Sequence, residues 1–81
     1  MFHHERWDGS GYPFGLKGEQ IPLYARIVAI ADCYDAMIED RPYKKNMSSE
    51  SAIAEIRQQK GKQFDPVLAA IFCEAMFNKN I

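Results

Sequence analysis

Ile27-Val28-Ala29-Ile30-Ala31-Asp32-Cys33-Tyr34-Asp35-Ala36-Met37 decides the fold class. The stretch is too long for an ordinary strand and does not alternate apolar with polar residues, so it reads as helix. It is apolar around its whole circumference, which predicts burial on several faces. Two aspartates interrupt it three residues apart and therefore on one side. An ionised carboxylate without a partner is costly in such surroundings, so Asp32 and Asp35 are expected to face a metal, a basic group or several donors. Pro22 suits the first turn and places this helix at about residues 23–40. It stops before Arg41-Pro42-Tyr43, because the residue preceding a proline is driven out of the helical region.

Two further helices follow. Ser48 is a plausible N-cap for residues 49–60, in which Ala52, Ile53 and Ile56 form a narrow apolar stripe. Gly61 is a suitable stop. Asp65-Pro66 is a strong start signal, a capping side chain followed by proline at the first helical position. Beyond it Leu68, Ile71, Phe72, Ala75 and Met76 recur at core-facing spacing. No segment alternates as a strand. The reading is all-α, with about three helices.

Upstream of the first helix the character changes. Residues 3–20 hold four of the five glycines, together with Pro13, a spacing that excludes regular helix and predicts consecutive tight turns. Trp7, Tyr12, Phe14 and Leu16 punctuate the turns, so the loop is expected to be pinned to a core by these side chains. Long ordered loops in small domains are usually functional.

The whole chain has 81 residues and a formal net charge of −1, room for one small domain and no general affinity for nucleic acid. No apolar run is long enough to span a membrane, and the first residues do not resemble a secretion signal. A cytoplasmic location is expected, with Cys33 and Cys73 as two buried free thiols. The opening residues lead straight into polar chemistry with nothing to cap them. A chain beginning this way is expected to be part of a larger unit.

Three groups call for a joint chemical explanation: His3 and His4 with Glu5, the aspartates 32 and 35, and the basic cluster Arg41, Lys44 and Lys45. Imidazole and carboxylate together suit zinc, iron or manganese. Two such ions about 4 Å apart can activate water and clamp a phosphoryl group. Arginine and lysine nearby would hold the remaining phosphate oxygens. Spacing alone also allows a surface histidine pair, solvated aspartates and an ordinary basic turn.

The order of motifs goes further. His3-His4-Glu5-Arg6-Trp7-Asp8-Gly9-Ser10-Gly11-Tyr12-Pro13, Gly15-Leu16-Lys17-Gly18, Ile21-Pro22, Ala25-Arg26-Ile27, Asp32-Cys33-Tyr34-Asp35-Ala36-Met37, Arg41-Pro42-Tyr43-Lys44, Gly61 and Phe64-Asp65-Pro66 closely resemble the HD-GYP family. The likeness covers nearly the whole chain and corresponds to the C-terminal portion of that domain: the loop 1–20, the aspartate-bearing helix 21–40, and two helices within 48–78. The resemblance implies a bacterial signalling phosphodiesterase that hydrolyses cyclic di-GMP with iron or manganese. It implies His3, His4 and Asp32 as metal ligands, and Arg41 and Lys44 as phosphate contacts. Gly11-Tyr12-Pro13 would serve substrate access and contact with a diguanylate cyclase domain. Glu5, Arg6 and Asp8 would brace the loop, and Asp35 would support the loop or Arg26.

One departure matters. The family's His-Asp doublet has no counterpart, since the chain's two histidines are His3 and His4. Three ligands can hold one ion loosely but cannot bridge a pair. The chain alone is therefore expected to bind metal weakly and to show negligible activity, unless a second copy or a missing N-terminal half completes it. The competing reading is a stand-alone interaction or dimerisation module with a vestigial metal site. An interaction module would have a closed core, whereas a partial domain would expose apolar surface.

Overall fold

Pro22 cannot donate a backbone hydrogen bond, and it stands as the N-cap of α1, Leu23–Ile38. This computed structural model describes residues 4–39 and 46–79. Among them the elements after α1 are α2, Ser49–Gln58, and α3, Pro66–Lys79, with a 3-10 turn at Gly18–Gln20 ahead of all three. The all-α expectation holds, and the helix starts at 23, 49 and 66 fall where proline and capping residues placed them. The ends are earlier than expected for α2, which stops at Gln58, with Gln59 as its C-cap. Gly61 takes φ 77°, a left-handed turn two residues beyond that cap, where a side chain would be strained.

Both predicted caps are formed. The Ser48 hydroxyl accepts from Ser51 N at 3.1 Å. Asp65 Oδ1 accepts from Val67 N at 2.9 Å and Leu68 N at 3.2 Å, satisfying amides that the helix start leaves open.

The core sits where the three helices meet. Ile30 and Tyr34 of α1, Ala52, Ile53 and Ile56 of α2, Phe64, and Ala69 and Cys73 of α3 form one buried cluster. Tyr34 lies edge-on to Phe72 at 5.3 Å, and its hydroxyl shares a 2.7 Å hydrogen bond with Ser49 Oγ. The α2 stripe is as read from the sequence. In α3 the buried positions are Ala69 and Cys73, while Ile71 and Ala75 face outward. Leu68, Phe72 and Met76 of the expected stripe are half-buried against this cluster.

The expected burial of α1 on several faces is corrected. Leu23, Tyr24, Ile27 and Val28 are exposed, and so are Asp32 and Asp35. Two helices are too few to surround a third. Neither cysteine forms a disulfide; Cys33 is half-buried rather than buried, and burial pushes the Cys73 thiol above its ordinary pKa. Among the described residues no helix is long and apolar enough to cross a membrane.

Candidate functional site

The opening loop is held by a buried carboxylate and by half-buried Trp7, which lines a small cavity with Ile21, Ala25 and Phe64. Glu5 is 4% exposed, and both of its oxygens are used: Oε2 accepts from Phe14 N and Oε1 from Leu16 N, each at 2.7 Å. Short bonds from two amides to one carboxylate are the strong, charge-assisted kind. They draw residues 14–16 back across residues 4–6. Tyr12 N donates to His4 O at 3.1 Å, and Gly11 lies against the backbone of residues 4–6, where a Cβ would collide with the His4 carbonyl and Arg6 N. Tyr12 and Phe14 remain about 60% exposed. The expected pinning by these two aromatics is therefore corrected: backbone amides take over that task.

The closed loop docks on the connection between α2 and α3. Trp7 N donates to Gln63 O at 3.1 Å and Asp8 N to Lys62 O at 2.9 Å, while Gly18 N returns to Trp7 O at 2.9 Å. Arg26 ties this assembly to α1. Its Nε donates to Ile21 O at 3.0 Å, and its Nη1 meets Asp65 Oδ2 at 2.7 Å. The partner of Arg26 is thus Asp65, the cap of α3, and not Asp35, whose position on α1 is exposed.

These ties create an open cleft of about 420 Å³ between loop and helix, lined by His4, Glu5, Arg6, Ser10, Gly11, Tyr12, Ala29, Asp32, Cys33 and Gln63. His4 stacks on Tyr12 with ring centroids 4.8 Å apart and planes 10° from parallel. The imidazole is oriented by a neighbour in its own loop, and Asp32 lines the same cleft from α1. Among the described residues no three His, Cys, Asp or Glu side chains converge as a metal cage. His3, Arg41 and Lys44 lie outside the described residues. Pro13 is at the exposed tip of the loop. Asp8 Oδ1 accepts from Ser10 Oγ at 2.6 Å and Ser10 N at 3.0 Å. The Ser10 hydroxyl above all holds the Asp8 carboxyl below its ordinary pKa, with Arg6 adding a smaller attraction.

Gln63 and Cys33 were not named as site residues from the sequence, yet both line the cleft, with Gln63 Nε2 3.7 Å from Cys33 Sγ. Gln63 arrives there only because the loop docks on its backbone, a long-range event with no local signal. Cys33 adjoins Asp32 on α1, and its placement follows once that carboxylate is assigned to the cleft.

The helical assembly and this loop are those of an HD-type domain. The chain belongs to the HD domain family, whose model matches residues 1–68. It is 58% identical over 72 residues to a probable cyclic di-GMP phosphodiesterase of Vibrio cholerae, covering 89% of this chain and 16% of that protein. A cyclic di-GMP phosphodiesterase of Thermotoga maritima is 51% identical over 72 residues, covering 89% of this chain and 20% of the relative. The crystal structure of a cyclic GMP-AMP specific phosphodiesterase of V. cholerae superposes with a TM-score of 0.79 at 34% identity, over 95% of this chain and 17% of the other. The chain thus spans a fifth or less of each of these relatives.

Proposed function

We propose that the chain supplies one wall of a metal-dependent centre that hydrolyses the phosphodiester of a cyclic dinucleotide, cyclic di-GMP first among them. The observation that carries this reading is that His4 and Asp32, brought from a loop and a helix, line one cleft. An imidazole and a carboxylate fit iron or manganese, with His3 adjoining as a third donor. Such a centre supplies a water acidic enough to attack phosphorus near neutral pH. The side chains here hold and orient: Tyr12 fixes the His4 ring plane, and α1 holds Asp32 in the same cleft. Arg41 and Lys44 are assigned to the phosphate oxygens of the substrate.

Asp32 is exposed in this chain, so its solvation does not by itself demand a cation. The support comes from the shared cleft and from relatives named for cyclic dinucleotide hydrolysis. Two histidines and no His-Asp dipeptide leave the donor set short of a bridged metal pair. Weak metal binding and negligible turnover by the chain alone follow.

Calorimetric titration with Mn²⁺, beside chromatography of cyclic di-GMP digests, tests both parts. Weak binding that is lost in His4→Ala and Asp32→Asn is expected, with only trace conversion. Binding indifferent to both substitutions would remove the metal centre, and turnover well above trace would show that the donor set is sufficient. A second role is favoured by the exposure of Tyr12 and Phe14: the loop tip is suited to contact another protein, a diguanylate cyclase domain being the partner proposed.

A further inference from the structure

Arg6 carries a charge that the fold answers only with a long, half-exposed ion pair to Asp8. Its side chain lines the same cleft as His4 and Asp32. Its Nε is buried and lacks a hydrogen-bond partner, although buried donors in folded proteins are nearly always paired. The nearest carboxylate, Asp8 Oδ1, stands 3.8 Å away, too far for a hydrogen bond. That oxygen is already taken by two donors from Ser10. A loop brace would spend its guanidinium on backbone carbonyls or on Asp8, as Arg26 does on Ile21 O and Asp65. Among the described residues Arg6 Nε makes no such hydrogen bond, and its pairing with Asp8 is the long 3.8 Å contact.

We propose that Arg6 is a substrate-binding residue, whose guanidinium takes a non-bridging oxygen of the phosphodiester in the cleft. The assignment rests on the reading of this cleft as a phosphodiester site. It replaces the bracing role that the family resemblance suggested for Arg6. A planar guanidinium offers five donors, remains charged at every working pH and matches the geometry of a phosphate. Ser10 occupies the Asp8 oxygen nearest Arg6, so that oxygen does not hydrogen-bond the guanidinium, whose Nε keeps an unused donor beside the open cleft. Arg6 would thus approach the phosphate from the loop, in the cleft that Asp32 lines from α1.

Titration of the ¹⁵N-labelled full chain with inorganic phosphate in the presence of EDTA reads this contact without any metal. Phosphate is expected to shift the Arg6 side-chain resonance and the Gly11 amide, and cyclic di-GMP is expected to compete for the same resonances. Arg6→Gln should weaken phosphate binding about tenfold, the scale of one lost charge-assisted contact, and Arg6→Lys should restore part of it. Mn²⁺ affinity and the melting temperature should be unchanged in both variants. Asp8→Asn should tighten phosphate binding, an outcome that a purely bracing Arg6 does not produce. No response to phosphate in the wild-type chain, equal affinity in Arg6→Gln, or failure of cyclic di-GMP to compete would overturn the assignment. A fall in melting temperature and Mn²⁺ affinity parallel to the loss of phosphate binding in Arg6→Gln would return Arg6 to a bracing role. Metal ligation by His4 and Asp32 is judged separately, by Mn²⁺ titration of their own variants, so the two ideas can fail independently.

Discussion

Glu5 shows how one side chain can order a loop that has little regular structure. Two backbone amides from residues 14 and 16 converge on its carboxylate, and the side chain is nearly sealed from water. Each such bond to a charged acceptor contributes on the order of 1.5–3 kcal/mol. Glu5→Ala would orphan both amides and open the turn at Gly11, so a loss of about 3 kcal/mol in urea unfolding is expected, with His4 losing its stacked geometry on Tyr12. Unfolding indistinguishable from wild type would show that the loop closes for another reason. At this scale the sequence was informative about residue type and poor about surroundings. The motif resemblance assigned bracing to Glu5, whereas no periodicity rule applies to a loop of turns. Asp32 was expected to be buried because its helix is apolar all round, yet burial depends on how many elements surround a helix, which its own sequence does not encode.

At the scale of elements, helix starts were legible because their chemistry is local. Ser48, Pro22 and Asp65-Pro66 each act within one turn, and each marks an observed boundary. The α3 stripe was legible in part: Leu68, Phe72 and Met76 pack against the core as their spacing suggested, whereas Ile71 and Ala75 face outward and Ala69 and Cys73 are the fully buried positions. The long-range tie between α1 and α3 was not legible at all, since 39 residues separate Arg26 from Asp65. That tie makes Asp65 do two jobs, capping α3 with Oδ1 and pairing with Arg26 through Oδ2. Their side chains are only 15% and 6% exposed, so removing one partner leaves a poorly solvated charge. Asp65→Ala should cost about 3–5 kcal/mol in chemical denaturation. Asp65→Asn keeps a cap acceptor but loses the charge, and should cost about half as much. Equal costs for the two variants would mean that the ion pair contributes nothing and the cap everything. The consequence for the cleft is geometric: Arg26 and Asp65 set how the loop-bearing α2–α3 connection sits beside the helix that carries Asp32.

For the molecule as a whole, the question is what happens to the apolar surface that three helices cannot cover. Leu23, Tyr24, Ile27 and Val28 of α1 and Val67, Ile71 and Phe77 of α3 are each at least 40% exposed. Between the two helices runs a groove of about 330 Å³ lined by Ile27, Ile30, Leu68, Ile71, Phe72 and Ala75. Scattered exposed apolar side chains are normal, but a continuous groove with almost no polar lining is the kind of surface that drives association. The sequence pointed to this outcome, because α1 carries more apolar positions than two helical neighbours can contact. It bears on the two functional readings, since a self-contained interaction module is expected to close its core and a portion of a larger domain is not. Light scattering is expected to give a mass that rises above 9.3 kDa as concentration increases. Ile71→Lys, at a position 58% exposed, should return the mass toward the monomer while changing stability by only about 0.5 kcal/mol, as surface substitutions usually do. A monomeric mass across the concentration range would mean that water is tolerated along the groove, and would favour the self-contained module.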